Sequence, residues 1–258
     1  MHLPALSNRR RKAIARLGQR KYRKRTGRTL IEGVRSVEAA LAAGAPVVEG
    51  VVTQEAAEQS AVRTMLADAN VPWYRTDAAT MAQLSDVAHA QGVLAVVEQT
   101  YVSPEALTEA ATVLALDGVQ DPGNVGTLLR TAAWFGIEAV LCGPGTADVF
   151  HPKVLRAGMG AQWDLRLAAT PTLGAALDAL QQRGFTHYGA DLYGTPAGAW
   201  TPQTPAVLVM GSEAHGLSAA VRDRLHEPVA LPGAAGRAGV ESLNVAVAGG
   251  ILLYEWAG

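Results

Sequence analysis

The 258-residue sequence predicts an α/β protein whose second half is built on a parallel sheet. Three observations predict it. Short apolar, β-branched runs alternate with stretches of helical periodicity from Thr29 onward. After residue 112 those runs are almost continuously apolar, as expected of strands covered by helices on both faces of a sheet. The composition, 49% hydrophobic and 17% charged, is that of a globular chain, and no apolar run approaches the ~20 residues needed to cross a bilayer.

The first 28 residues stand apart by charge. Arg9, Arg10, Arg11, Lys12, Arg16, Arg20, Lys21, Arg23, Lys24, Arg25 and Arg28 are 11 of the 22 Lys and Arg residues, and no acid precedes Glu32. The other 230 residues carry 11 basic and 23 acidic groups, a net of −12. A solvated face normally mixes both signs, so a one-signed arm suggests a polyanionic partner held through phosphate contacts. A disordered tail or a membrane-surface segment is the alternative. Only Ile14 and Leu17 interrupt the charges at helical spacing, too few for a core helix, so the arm is expected to order on binding.

The remaining elements follow in order. Val34, Val37 and Leu41 recur at helical spacing and Gly44 and Pro46 close that helix. Residues 47–53 read as a strand, 55–69 as one helix, 71–75 as a short strand, Thr76-Asp77 as a helix cap and 92–98 as another strand. Together 29–99 form a small α/β domain. Residues 100–111, with Ser103 and Pro104, read as a linker. The second domain, 112–258, has candidate strands at 112–116, 138–142, 164–168, 187–190, 206–210 and 228–231, and a last helix over 243–256. A single cysteine, Cys142, excludes an intrachain disulfide framework and a multi-cysteine zinc site, and fits a reducing compartment. The N-terminus has charge but no apolar core behind it, so no secretory signal is expected.

Three stretches carry the chemistry. Residues 121–136, DPGNVGTLLRTAAWFG, place Asn124 and Gly126 in a turn between a strand and a helix, with Arg130 as the one charge among packing residues. A helix-face arginine in a salt bridge is the plain alternative for Arg130. Neither GxGxxG nor GxxxxGK[ST] is present. Residues 207–218, VLVMGSEAHGLS, run an apolar strand into a polar turn in which Gly211 and Gly216 permit close backbone approach. Glu213 could orient a substrate, pair with Arg130 or serve as a cap, and His215 reads as a surface or structural histidine. Residues 241–255, ESLNVAVAGGILLYE, open a helix that Ser242 and Asn244 can cap, while Ala246, Ala248, Gly249 and Gly250 make a stripe that a neighbour approaches closely.

In order and wording, NVGTLLRTAAWFG, GSEAHGLS and SLNVAVAGGILLYE resemble the three motifs of SPOUT methyltransferases of the SpoU/TrmH branch, and HPKVLRAGMGA from His151 is similar to the segment that connects them. The resemblance spans about 112–258, and TLIEGVRSVEAAL from Thr29 is similar to the small ribosomal-protein-like RNA-binding domain found before such catalytic domains. It implies a C-terminal trefoil knot, a homodimer in the cytoplasm, and S-adenosylmethionine held by loops around Met210, Gly211, Gly216, Leu231 and Leu243. The reaction it implies is methyl transfer to a ribose 2′-hydroxyl of RNA without a metal. Arg130 would remove the proton or stabilise the alkoxide, with Asn124, Glu213, Ser242 and Asn244 orienting the site. The basic residues Arg9 to Lys12, Arg20, Lys21, Arg23 to Arg25 and Arg28 would bind the RNA. Ribosomal RNA is the expected substrate; transfer RNA, or a non-catalytic ribosomal-RNA-binding assembly protein, is the alternative. The sequence departs from the pattern in a longer glycine- and alanine-rich loop, 233–241, and in Ala246 where serine is common.

Overall fold

The structure, a computed structural model, describes residues 3–87, 90–234, 239 and 241–257. Its elements in chain order are α1 (Asn8–Arg16), α2 (Arg20–Thr26), β1 (Arg28–Glu32), α3 (Val34–Ala42), β2 (Val47–Thr53), α4 (Gln54–Glu58), α5 (Ser60–Asp68), β3 (Trp73–Thr76), α6 (Ala78–Leu84) and β4 (Val93–Glu98). Then come β5 (Thr112–Asp117), α7 (Pro122–Trp134), β6 (Ala139–Cys142), α8 (Pro152–Gly158), β7 (Arg166–Ala169), α9 (Leu173–Gln181), β8 (Thr186–Pro196), β9 (Ala206–Gly211), α10 (Ala219–Arg222), β10 (Glu227–Ala230) and α11 (Val245–Ala257). The chain divides into two compact units. One runs to Thr100 and takes in Phe150–Trp163; the other holds Tyr101–Val149 and the chain from Asp164 on.

The first unit is a four-stranded sheet in the order β1-β4-β2-β3, with β4 antiparallel to both neighbours and β3 parallel to β2. Val93 to Val97 of β4 are all buried, because both faces of this central strand are covered. The segment at Phe150 packs here: Thr29 Oγ1 donates to the Phe150 carbonyl at 2.6 Å. β1 escapes periodicity because Thr29 to Glu32 are all buried, so the strand has no polar alternation to betray it.

Two expectations are corrected in this unit. The basic arm is folded without a partner: it makes α1 and α2, and Ile14 (1% exposed) and Leu17 (5%) sit in a core cluster with Leu30, Val51, Met81 and Leu84. Two apolar residues suffice because each is buried whole against a preformed surface, which for a leucine or isoleucine stabilises by roughly 1.5–3 kcal/mol. Arg23, expected on RNA, is itself buried and donates to the Leu17 and Gly18 carbonyls at 3.3 and 3.0 Å, stapling the end of α1 to α2. Of the others, Arg9, Arg10, Lys12, Arg20, Lys21, Lys24 and Arg25 are exposed, while Arg11 and Arg28 are half-buried. The single helix expected over 55–69 is two, broken at Gln59, whose backbone is extended (φ −69°, ψ 138°). In one continuous helix Ala56 would lie about 120° from the face of Val62, Met65 and Leu66; the break lets all four be buried.

The second unit is a six-stranded sheet, all parallel, in the order β10-β8-β9-β5-β6-β7. β5 and β9 lie at its centre with Leu116 opposite Met210 and Asp117 opposite Gly211, so both strands end together. β8 is longer than expected: its pairing with β10 breaks between Pro228 and Val229, and Ala190 to Gly194 run out of register. The small-residue stripe of α11 faces α7, where a Cβ at Gly249 would stand 2.3 Å from Leu128 Cδ2. Residues 235–238 and 240 of the glycine- and alanine-rich loop lie outside the described residues.

Candidate active site

In an open parallel sheet the carboxyl ends of the central strands are where connections diverge and ligands are met. Here β5 feeds α7 and β9 feeds the polar turn at 212–216 from adjacent positions. α7 starts where it does because the Asp121 carboxylate accepts from the Gly123 and Asn124 amides at 2.7 and 3.0 Å and Pro122 occupies the first turn. Ser212 and Gly216 exchange two backbone hydrogen bonds of 3.0 and 2.9 Å, which closes the turn. Gly211 permits that closure: a Cβ there would lie 2.3 Å from the Gly216 carbonyl carbon. Asp117, buried at the end of β5, accepts from the Ser218 amide at 2.6 Å and ties the far side of the turn to the sheet.

Three of the expected polar residues meet. Asn124 Nδ2 donates to Glu213 Oε1 at 2.8 Å, and Asn124 Oδ1 accepts from Asn244 Nδ2 at 3.0 Å. Glu213 Oε2 accepts from the Gln120 amide at 3.3 Å, and Asn244 Oδ1 accepts from the Ala246 and Val247 amides at 2.9 and 3.3 Å. One chain of hydrogen bonds therefore joins the turn after β9, the start of α7 and the start of α11. Ser242 lies exposed beside it. Arg130 is exposed on α7, and among the described residues it makes no hydrogen bond or ion pair, so the pairing of Arg130 with Glu213 weighed from sequence is not made.

Behind this chain lies a cavity of about 600 Å³, walled by the turn after β9, the middle of β8, Val229 and Leu231, and Glu241 to Val245. Met210, Gly211, Gly216, Leu231 and Leu243 all line it, as do Glu213, Ser242, Asn244 and His215. Asn124 and Arg130 do not. Among the described residues the lining includes three carboxylates, Asp191, Glu213 and Glu241, against the single guanidinium of Arg222, which pairs with Asp191 at 3.6 Å. A second, shallower groove of about 570 Å³ runs between α7 and α11 over Thr127, Phe135, Val247, Ile251 and Tyr254, and shares Asn244 with the cavity. Its rim is apolar and solvent-facing: Val247 is 52% and Tyr254 63% exposed, with Trp134 at 83% on the neighbouring turn. Sequence spacing carried no sign of Asp191, Arg222 or Glu241 as wall residues, since they come from β8, the end of α10 and the segment before α11.

Residues 111–254 match the model of the SpoU rRNA methylase family. The chain belongs to that family. Residues 8–95 of this SpoU-family methylase match the model of the MRM3-like substrate binding domain, a stretch that takes in α1, α2 and nearly all of the mixed sheet. Bacillus subtilis 23S rRNA (guanosine(2553)-2′-O)-methyltransferase RlmP is 34% identical over 246 residues, 94% of either chain. A Synechocystis protein described as an uncharacterized tRNA/rRNA methyltransferase is 34% identical over 95% of this chain and 89% of its own. Among solved structures, the SpoU methyltransferase AviRb of Streptomyces viridochromogenes in complex with AdoMet superposes with a TM-score of 0.83 at 25% identity, covering 96% of this chain and 97% of that one. An AdoMet-bound rRNA methyltransferase from Sinorhizobium meliloti gives 0.83 at 26% identity, over 98% and 95%. The SpoU-family chain is thus an RNA methyltransferase on a SPOUT fold, and its family uses S-adenosylmethionine. The cavity suits that cofactor: its volume lies within the range of small-molecule sites, and the excess of carboxylates among its described lining residues favours a molecule whose sulfonium and ammonium outweigh its one carboxylate. Among the described residues no helix is long and apolar enough to cross a membrane, and no three His, Cys, Asp or Glu side chains cluster as a metal site.

Proposed function

We propose that this RNA methyltransferase transfers the methyl group of S-adenosylmethionine to a ribose 2′-hydroxyl of ribosomal RNA, acting as a cytoplasmic homodimer. The observation that carries the reading is the chain Glu213–Asn124–Asn244 at the lip of the acidic cavity, which joins one polar residue from each of the three motifs. The 34% identity to a 23S rRNA 2′-O-methyltransferase over nearly the whole of both chains supports the substrate and the target atom.

Met210, Gly211, Gly216, Leu231 and Leu243 would hold the cofactor, with the rigid Ser212–Gly216 turn presenting backbone groups to it. When bound, S-adenosylmethionine supplies an electrophilic methyl group on a cationic sulfur. The chain's own task is to place the 2′-oxygen in line with that methyl group and to lower the cost of the oxygen's developing charge. Glu213, Asn124 and Asn244 fix the lip. Ser242, exposed beside them, is free to donate to the ribose. Arg130 contributes electrostatically, because a guanidinium stays protonated and cannot serve as a base near neutral pH; the hydroxyl proton departs to water or an RNA phosphate.

The dimer is part of this reading. Arg130 does not line the cavity of its own chain, but the apolar groove beside α7 adjoins the cavity through Asn244. A second copy seated on that groove would bring its own α7 to the cavity's edge and so complete the site.

The test is incubation of the full-length protein with labelled S-adenosylmethionine and unmodified 23S ribosomal RNA or transfer RNA, followed by mass spectrometry of the nucleosides. Label in a 2′-O-methylnucleoside of 23S RNA is the expected result. Label confined to transfer RNA would overturn the substrate, and label on a base would overturn the target atom.

A further inference from the structure

The strongest feature outside the methyl-transfer site is a groove of about 580 Å³ on the first unit, lined by Leu6, Asn8, Arg11, Gln54, Arg75 and Asp77 with neighbouring side chains. Two guanidinium groups border it, from segments 64 residues apart in sequence, and both are held by uncharged partners. Arg11 Nη1 donates to Gln83 Oε1 at 2.9 Å, and Arg75 Nη1 donates to Gln54 Oε1 at 3.1 Å. Arg10, one residue away, is instead neutralised by Glu49 at 2.9 Å. An amide partner fixes the direction of a guanidinium without cancelling its charge, so orientation is set in advance and the remaining N–H donors stay available. The backbone under Arg75 is fixed as well. Residues 4–6 lie along β3, with the Arg75 amide donating to the Pro4 carbonyl and the Leu6 amide to the Arg75 carbonyl, each at 2.8 Å.

Among the described residues the one carboxylate in the lining, Asp77, is engaged with the start of α6, accepting from the Thr80 amide at 2.6 Å and from Thr80 Oγ1 at 3.1 Å. Two cations therefore face one committed anion, leaving the groove with a net positive charge.

We propose that this groove binds a backbone phosphate of the RNA substrate, with Arg11 and Arg75 as its two ligands and Gln83 and Gln54 as positioning residues. The assignment rests on the RNA-methyltransferase reading and deepens it: it moves part of the RNA footprint from the basic arm to β3, a strand outside the charge run. A backbone phosphate presents two non-bridging oxygens that a planar guanidinium fork meets with paired hydrogen bonds, and an RNA strand supplies it as a fixed point from which the target ribose is measured.

The experiment is filter binding of the full-length protein to deproteinised 23S ribosomal RNA across roughly 50–200 mM salt, where each phosphate contact contributes about 0.7–0.9 to the slope of log Kd against log salt. The double variant Arg11→Gln/Arg75→Gln should make that slope shallower by about one and raise Kd about five- to tenfold near 150 mM. Because both residues hold the same phosphate, each single variant should produce most of that loss. Gln54→Leu keeps both charges and should weaken binding with the slope unchanged. Arg63→Gln is the matched control, since Arg63 is exposed on α5 and donates to the Glu58 carbonyl away from the groove. A slope unaltered in the double variant, or altered equally by Arg63→Gln, overturns the groove while leaving RNA binding intact. Absence of binding by the unaltered protein overturns the groove and the RNA reading together.

Discussion

Gly211→Ala isolates the role of the turn that walls the cofactor cavity. A Cβ at position 211 would lie 2.3 Å from the Gly216 carbonyl carbon, 2.5 Å from the Leu217 nitrogen and 2.6 Å from the Gly216 oxygen. All three are backbone atoms, so no side chain can rotate away. Reaching an ordinary contact needs about 1 Å of separation between Gly211 and the 216–217 peptide, and the two Ser212–Gly216 hydrogen bonds stand in that path. Overpacking of this kind costs about 1–3 kcal/mol, and two exchanged backbone bonds are worth a similar sum. The free protein relaxes by opening the turn, and cofactor binding must close it again. At 1.4 kcal/mol per factor of ten, the affinity for S-adenosylmethionine should fall about 10- to 100-fold. Titration calorimetry with the cofactor measures this directly, and urea denaturation should show about 2 kcal/mol lost. Gly198→Ala is the control, because nothing lies within 4 Å of a Cβ there; it should leave both quantities nearly unchanged. If Gly211→Ala binds the cofactor with unaltered affinity, the turn is not the wall of the site and the cavity assignment fails.

Other expectations concern single groups. Arg23→Ala should destabilise the first unit by about 2–3 kcal/mol in denaturant, since it empties the space of a buried side chain and leaves the buried Leu17 carbonyl and the part-buried Gly18 carbonyl without their donor, whereas Lys24→Ala should stay within about 0.5 kcal/mol. Asn124→Ala removes two side-chain hydrogen bonds at the lip; it should reduce methyl transfer well beyond its cost in stability, which is about 1–2 kcal/mol, as judged by comparing turnover with denaturation midpoints. The Cys142 thiol is pushed up to about 12, first by burial and then by the Asp148 charge. It should resist iodoacetamide at pH 8 in the native protein and react readily once the protein is unfolded in guanidinium, as followed by mass spectrometry.

Much of the second unit was legible because burial on both faces leaves uninterrupted apolar runs. The strand expected at 206–210 is Ala206–Gly211, and that at 112–116 is Thr112–Asp117. The first unit was harder to read for the opposite reason. Its helices are short, and what buries them is distant in sequence: Ile14 reaches Met81, and β1 finds β4 some 66 residues on, with Leu30 opposite Val96. Local periodicity has no access to such partners. The same limit applies to the site. The motifs placed Asn124 and Glu213 in turns after strands and Asn244 at a helix start, but their hydrogen bonds span 89 and 120 residues and follow from how the strands and the last helix are arranged in space. Charge was the most misleading signal taken by itself, since Arg23 belongs to the same basic run as Lys24 yet serves the fold.

The position of Arg130 gives the reading its sharpest consequence. It is exposed and unpaired among the described residues, so Arg130→Ala should shift stability by no more than about 0.5 kcal/mol while lowering transfer by about 10²- to 10³-fold. A loss of activity without a loss of stability still leaves open which cavity the guanidinium serves. Mixing separates the two cases. Arg130→Ala keeps an intact cavity but lacks the cation, and Gly211→Ala keeps the cation but has a damaged cavity. When the two are refolded together at equal concentration and assayed with S-adenosylmethionine far below the Kd of Gly211→Ala, random pairing makes half the dimers mixed and the Gly211→Ala cavities stay empty. If Arg130 acts across the interface, each mixed dimer contains one complete site, and activity should recover to about a quarter of the unaltered enzyme. If Arg130 acts within its own chain, no complete site forms and the mixture stays as inactive as its parts. Recovery together with a dimer in sedimentation would join the apolar α7–α11 groove to the chemistry. Failure to recover in a demonstrated dimer would place the cation back on its own cavity and require α7 to move toward it when RNA binds.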